Sequence, residues 1–317
     1  MVSASANYLG VDIGGTKVAA GLVTPAGRIL TQNRVPMPAR GSAMAGLEAV
    51  IAAAKLAMGT KTVAGVGVSS PGPLDPRRGV VLNPPNLPCW RNFPLAAKLE
   101  QALGVPVKLD NDANAAALAE ARWGAGRRYQ AVFYATLGTG IGAGLVLDGR
   151  IYHGRTGAAV EGGHLSINHR GPRCGCGKRG CIEALASGPA VGRRARKLVR
   201  ARPDRARRLL TMAEGRVSGV SGETVGAAWK AGDAIARQTL EETALLLGIW
   251  LGNIVDLLEP EIIIFGGGMG ALMAEWFPLI GTTLQRWSIN PRASEIPLRA
   301  ARYGSAAGIA GGAALCR

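Results

Sequence analysis

A short pattern occurs twice in this chain, and it limits the fold more than any other feature. Ala20-Gly21-Leu22-Val23 is followed by Gly27-Arg28-Ile29-Leu30, and Ala143-Gly144-Leu145-Val146 is followed by Gly149-Arg150-Ile151-Tyr152. Each copy is preceded by a turn of glycine and threonine, Gly14-Gly15-Thr16 and Gly138-Thr139-Gly140. A glycine turn, an apolar strand and a hairpin, repeated in that order, predict a duplicated three-stranded unit and hence two related lobes. A chain of 317 residues has room for both. Ligands favour the cleft between such lobes.

Periodicity fills in the frame. Tyr8–Ile13, Lys17–Thr24 and Arg28–Val35 read as strands, and Met44–Met58 has helical spacing. Val63–Ser69 reads as a buried strand closed by Pro71-Gly72-Pro73. A helix over Phe93–Leu103, a strand over Val105–Leu109 and a helix over Ala113–Trp123 follow. The second half is mainly helical: Asp233–Leu258 is a long apolar helix broken at Glu259-Pro260, and Ile262–Phe265 is a short apolar strand running into Gly266-Gly267-Gly268. Ser305–Leu315 is a helix of small residues. The expected division is a smaller lobe over 1–112, a larger one over 113–302, and a C-terminal helix from about 303 to 317 returning to the first.

The apolar fraction of 48% supplies a sizeable core, yet no apolar run reaches the ~18 residues of a membrane span. The first residues lack a charged segment followed by a long apolar one, so the expectation is a cytoplasmic protein. The net charge of +16 raises the question of nucleic acid. Nine basic residues, however, fall within Arg193–Arg208, spread around a helix with no interleaved aromatic residue and interrupted by Pro203. A solvated helical face with no sequence-specific nucleic-acid role is the expectation there.

Five motifs carry chemistry. Asp12-Ile13-Gly14-Gly15-Thr16-Lys17 lies between two strands; its glycines let N–H groups approach a phosphate, and Asp12 could hold a hydrated Mg²⁺. It is not the Walker pattern, since no Gly-Lys-Ser/Thr opens a helix. Gly138-Thr139-Gly140, at the matching place of the second repeat, is a second candidate phosphate clamp. Asn111-Asp112 sits where a strand ends and a helix begins: either residue could cap the helix, or Asp112 could take a proton from a hydroxyl. His164 with Cys174, Cys176 and Cys181 makes a closed Cys₃His set for a structural zinc, which would pin the segments carrying Glu161 and Glu183. Gly266-Gly267 could bring backbone against a nucleoside or form a plain turn. His153 and His169 are expected to serve only as surface or hydrogen-bonding groups.

With Asp12–Lys17, Pro84–Trp90, Asn111-Asp112, Gly138–Gly142, Glu161–His164 and the cysteine motif through Glu183, the chain resembles the ROK family of sugar kinases and repressors over about Tyr8 to Gly312. The resemblance implies a two-lobed α/β fold of the actin-like, ribonuclease-H-like kind with an inter-lobe cleft. It implies Asp112 as general base on a hexose 6-hydroxyl, and Asn111, Glu161, His164 and Glu183 as sugar contacts. Asp12, Gly14, Gly15, Thr16 and Lys17 would hold phosphate and metal, Gly138, Thr139 and Gly140 would close on the phosphates, and Gly266 and Gly267 would lie against adenosine. His164, Cys174, Cys176 and Cys181 would hold zinc. Two positions depart from the family: Cys89 and Val160 stand where glycine is common. The expected function is ATP- and Mg²⁺-dependent phosphorylation of a hexose, glucose first, by a cytoplasmic homodimer of carbohydrate metabolism without membrane or specific nucleic-acid partners. Alternatives are the same chemistry on mannose, N-acetylmannosamine, N-acetylglucosamine or fructose, polyphosphate as donor, or a sugar-sensing regulator. Only eleven residues precede Asp12, so the helix-turn-helix of the family's repressors has no room in this sequence.

Overall fold

The computed structural model describes residues 6–317. In chain order the elements are β1 (Tyr8–Ile13), β2 (Lys17–Val23), β3 (Asn33–Pro36), α1 (Ala43–Met58), β4 (Val66–Ser70), β5 (Leu74–Asp75), β6 (Val80–Val81), α2 (Leu95–Leu103), β7 (Val107–Asn111) and α3 (Asp112–Trp123). Then come β8 (Ala131–Leu137), β9 (Ile141–Leu147), β10 (Arg150–Ile151), α4 (Ile182–Ala186), α5 (Gly188–Ala201), α6 (Arg207–Met212), α7 (Gly222–Lys230) and α8 (Ala234–Leu258). The chain ends with β11 (Ile262–Gly266), α9 (Gly267–Met273), α10 (Phe277–Trp287), β12 (Leu298–Ala300) and α11 (Ala307–Leu315).

The repeat is a repeat of topology. One sheet has the order β3-β2-β1-β4-β7 and the other β10-β9-β8-β11-β12, so in each a consecutive three-strand unit is extended by two later strands. In the first sheet β1 and β4, and β4 and β7, pair in parallel. The second copy's hairpin turns on Asp148-Gly149, both at positive φ, the conformation of a tight two-residue turn. In the first copy the third strand is shorter than its sequence suggests. Thr31 explains this: its hydroxyl takes the N–H of Leu22 and donates to the carbonyl of Ala57, so a side chain replaces the ladder and the strand resumes only at Asn33.

Two compact units result. The first contains the chain up to Val132, Gly144–Val160 and Arg302–Arg317; the second contains Phe133–Ala143 and Glu161–Ala301. The first segment of the first unit runs to Val132, because α3 packs on α11 and stays with it. In the first unit α11 lies on β1 and β4. Small residues permit this approach: a Cβ on Gly67 would stand 1.7 Å from the carbonyl oxygen of Gly312. The returning chain is tied down by the buried Glu120, which accepts the N–H groups of Arg302, Tyr303 and Ala125. In the second unit the core is built on α8, capped by Asp233 and ended by Glu259 in the left-handed conformation just before Pro260. No helix among the described residues is long and apolar enough to cross a membrane.

The basic segment differs from expectation. Arg200, Arg202, Arg205 and Arg207 are exposed, but Arg194 is turned inward: it donates to the carbonyl of Leu185 and to the Thr243 hydroxyl at 2.7 Å, and pairs with Glu242. Arg193 donates to the carbonyl of Ala184 at 3.0 Å. Two cations thus meet carbonyls at the end of α4, where the helix dipole favours positive charge. Arg196 likewise reaches the carbonyl of Val220. Part of the segment is internal bracing.

Candidate active site

The first unit brings one set of predicted residues to the ends of its parallel strands. Strand register places Asp12 beside Ser69, Ser69 beside Asp110, and Ser70 beside Asn111. Asp12 accepts a long 3.5 Å hydrogen bond from Ser69 and is pressed by α11 at Gly308, where a Cβ would meet its carboxylate. Burial, and then the Asp112 carboxylate, push Asp12 up to about 6, against the pull of Ser69, Lys17 and Arg34. A carboxylate raised by a second carboxylate near it is a natural seat for a divalent cation. After Asp12 the chain turns tightly, with the Gly14 N–H on the Lys17 carbonyl at 2.9 Å. Gly15 rests against Asn86, where a Cβ would stand 3.0 Å from the carbonyl oxygen, while Thr16 and Lys17 are exposed.

Asn111 is the N-cap of α3: its Oδ1 accepts the Ala113 N–H at 2.9 Å, and Asp112 Oδ1 accepts the same N–H at 2.8 Å. Capping therefore orients both side chains at the start of the helix, and it is compatible with a chemical role for Asp112. The residue before them is also fixed. Asp110, buried, accepts from the Asn111 N–H and the Asn114 amide through Oδ1 and holds His153 Nε2 at 2.6 Å through Oδ2. His153 in turn accepts the N–H groups of Gly157 and Ala159 on its carbonyl, so it organises the turn that leads to Glu161.

The second unit assembles the rest. His164, Cys174, Cys176 and Cys181 bring one donor atom each to within 4.8 Å of one another. Cys176 Sγ and Cys181 Sγ are 3.6 Å apart, as are Cys174 Sγ and His164 Nδ1. A tetrahedral zinc with Zn–S of about 2.3 Å requires donor separations of about 3.8 Å, so the set fits a closed structural zinc. Burial and the neighbouring thiols push Cys181 up to about 12, whereas the Lys178 N–H lowers Cys176. A bound cation supplies the charge that a thiolate at Cys181 needs. Cys181 is also the residue that starts α4, whose first turn carries Glu183.

Glu183 joins two motifs. Its Oε2 accepts the Ile141 N–H at 3.0 Å and fills the space beside Gly140, where a Cβ would be 2.6 Å away. Its Oε1 lies 3.6 Å from Cys174 Sγ and 3.9 Å from His164 Nδ1. The Gly138-Thr139-Gly140 turn closes by a Gly138 N–H to Gly140 carbonyl bond at 2.9 Å, and the Gly138 carbonyl takes the N–H of Gly188 at the start of α5. Glu161 is exposed and opens a short 3₁₀ turn over Gly162–His164, which Trp250 anchors by donating to the Gly162 carbonyl at 3.0 Å. Before Glu161, Val160 is held at φ 63, a conformation costly for a β-branched residue. Gly266 and Gly267 have reasons within the unit: side chains there would strike the Tyr134 hydroxyl and the Leu137 carbonyl, and Gly267 sits at φ 78.

The sequence did not single out Ser69, Arg34 or the Asp110–His153 pair. Ser69-Ser70 before Pro71-Gly72-Pro73 was a usable signal, since paired hydroxyls at the end of a buried strand need partners. Nothing local marked His153, whose partner lies 43 residues away.

This fold is the actin-like, ribonuclease-H-like fold of sugar kinases, and the cysteine cluster and glycine turns match that class. Residues 8–317 match the ROK family, and the chain belongs to it. A glucokinase of Streptomyces coelicolor is 36% identical over 313 residues, covering 98% of this chain and 97% of the relative. An N-acetylmannosamine kinase of Escherichia coli is 32% identical over 312 residues, covering 98% of each. The crystal structure of a ROK family glucokinase from Streptomyces griseus in complex with glucose and AMPPNP has a TM-score of 0.83 at 38% identity, covering 98% of each chain.

Proposed function

We propose that this protein is a glucokinase that transfers the γ-phosphoryl group of ATP to the 6-hydroxyl of glucose. The observation that carries the reading is Asp112, oriented by the cap of α3 and felt by Asp12 across the strand ends. In the step, the sugar oxygen attacks phosphorus as the bond to the ADP oxygen breaks, and the hydroxyl proton passes to Asp112. Asn111, Glu161, His164 and Glu183 receive sugar hydroxyls; His164 does so while its Nδ1 faces the cysteine cluster, and Glu183 while braced on Ile141. Gly14, Gly15, Thr16 and Lys17, with Gly138, Thr139 and Gly140, hold the phosphates through N–H groups, a hydroxyl and a cation. Gly266 and Gly267 lie against the adenosine. Asp12 is the residue that would hold hydrated Mg²⁺, which supplies neutralisation of phosphate charge. The zinc site has four protein donors and so gives rigidity rather than a Lewis acid.

The likeness to an N-acetylmannosamine kinase over the whole chain supports a second reading, the same transfer to an N-acetylhexosamine. The resemblance also supports a homodimer acting in the cytoplasm, without specific nucleic-acid or membrane partners; light scattering checks the dimer. An ADP-release assay over glucose, mannose, fructose, N-acetylmannosamine and N-acetylglucosamine, with ATP or polyphosphate, decides between the readings. Glucose with ATP should give the highest kcat/KM; no turnover of any hexose would defeat the proposal.

A further inference from the structure

The first unit contains a cavity of about 400 Å³ along β7, the edge strand of its sheet. It shares no residue with the glycine turns, the Asn111-Asp112 junction or the cysteine cluster. Its apolar lining includes Leu109, Leu118, Ile151 and Leu315. Around this lining stand Arg77, Lys108, Arg122, Arg150 and Arg317. These five cations come from five separate segments: the turn between β5 and β6, strand β7, helix α3, strand β10 and the last residue. Guarding an edge strand against pairing takes one such residue. Five converging on one concavity amount to more than a guard.

Asp and Glu side chains leave this charge uncompensated, and the main-chain oxygen of the last residue, Arg317, offsets part of it at Arg122. Among the described residues none of the five enters an ion pair within 4.0 Å. The carboxylate in the wall, Asp110, is 3% exposed and already engaged by the Asn111 N–H, the Asn114 amide and His153. Arg122 donates to the main-chain oxygens of Ala314 and Arg317, and Arg77 to the Gly154 carbonyl at 3.4 Å. Arg317 donates to the carbonyl of Pro25 at 2.9 Å. Burial, and then the guanidinium of Arg317, lower the pKa of Arg122, as expected where like charges gather. Among the described residues, the exposed side chains of Arg150 and Lys108 have no hydrogen-bond partner.

We infer that this cavity is a second binding site, for a small molecule that carries a phosphate group on an apolar or ring-shaped body. The volume is in the range of small-molecule sites, and the lining divides as such a ligand would need, with apolar contact inside and cations at the margin. Guanidinium groups pair with phosphate oxygens in a fixed fork, while lysine adds a point charge. A neutral sugar gains little from five cations, and a bare inorganic ion gains little from four apolar side chains.

The test is isothermal titration of the full-length protein with glucose 6-phosphate and with tripolyphosphate, beside glucose and sulfate at matched ionic strength. The same titrations use the double variant Lys108→Ala/Arg150→Ala, whose exposed positions lie outside the core. The proposal expects saturable one-site binding of a phosphate probe that survives saturation of the kinase site with glucose and AMPPNP. It expects a loss of affinity of at least about tenfold in the double variant, with turnover unchanged. Tighter binding of glucose 6-phosphate than of tripolyphosphate supports a phosphate carried on a ring-shaped body; a preference for tripolyphosphate would overturn that assignment. Equal affinity in the double variant, displacement by glucose with AMPPNP, binding no tighter than sulfate, or no binding would each overturn it. The variant comparison needs no kinase activity, so it stands apart from the assignment of glucose as substrate.

Discussion

Asp12→Asn should make the metal-free protein more stable while removing its turnover. The carboxyl is raised from 3.8 to about 6 in the fold, chiefly by burial and then by Asp112. A folded-state pKa above the unfolded one means that the folded state holds the proton more tightly. Stability is therefore greatest below about pH 4 and is lost as pH rises toward 6 and beyond. A shift of about two units corresponds to about 3 kcal/mol at pH 8, and about half of that at pH 5. Asparagine keeps the shape and the acceptor for Ser69 but carries no charge. The value of about 6 already includes the pull of Lys17 and Arg34, and an amide bonds Ser69 less well than a carboxylate, so the net gain at pH 8 should be about 1–3 kcal/mol. Urea unfolding of both proteins at pH 5 and pH 8, in chelator that spares tightly held zinc, reads this directly. Added Mg²⁺ and nucleotide should stabilise the wild type and close the gap, since the ion supplies the missing positive charge. A variant no more stable than wild type at pH 8, or one whose advantage does not shrink at pH 5, would refute the reasoning.

Other expected outcomes follow from the same geometry. Asp112→Asn should lower kcat by about 10²–10⁴-fold with little change in glucose binding, measured by steady-state kinetics and titration; retention of a third of wild-type kcat would remove Asp112 from the role of base. Metal analysis should find one zinc per chain, and Cys176→Ala should lose it and raise the KM for sugar more than it lowers kcat, because Glu183 sits against Cys174 and His164. Val160→Gly should raise the urea midpoint, since a β-branched residue at φ 63 costs about 1–3 kcal/mol and glycine's unfolded-state entropy returns only part of it; a lower midpoint would show that Val160 contributes packing worth more than the strain.

What was legible in the sequence was local. The Cys174, Cys176 and Cys181 spacing with His164 needs only a short loop to close, and the structure brings all four donors together. The repeated glycine turn forecast two sheets of matching order because each copy is a consecutive hairpin. What was hidden depended on register or on distant partners. Asp12 lies beside Ser69 only because β1 and β4 pair in parallel with that alignment, which no periodicity encodes. Arg194 reads as one more exposed cation until Thr243, 49 residues on, supplies an acceptor. The membership of α3 is hidden for a similar reason: it belongs with the first compact unit because a helix nearly two hundred residues later packs on it.

The two units solve different problems with their charges. In the second, His164, Cys174, Cys176, Cys181 and Glu183 are held against one another. Four donors surround one metal position, Glu183 spends one oxygen on the Ile141 N–H and leans the other toward Cys174, and Trp250 holds the turn that starts at Glu161. These contacts fix the positions of His164 and Glu183 within the second unit. In the first unit Asp12 is kept in an environment that resists its charge, with Asp112 near it and Gly308 behind it. Such a carboxylate gains most from a nearby cation, so, if Asp12 holds the nucleotide's metal as proposed, the free energy withheld from folding would be returned when the two bind. The expected consequence is that nucleotide affinity rises with pH through the range near 6 where Asp12 ionises, while zinc content and the Glu183 contacts stay unchanged.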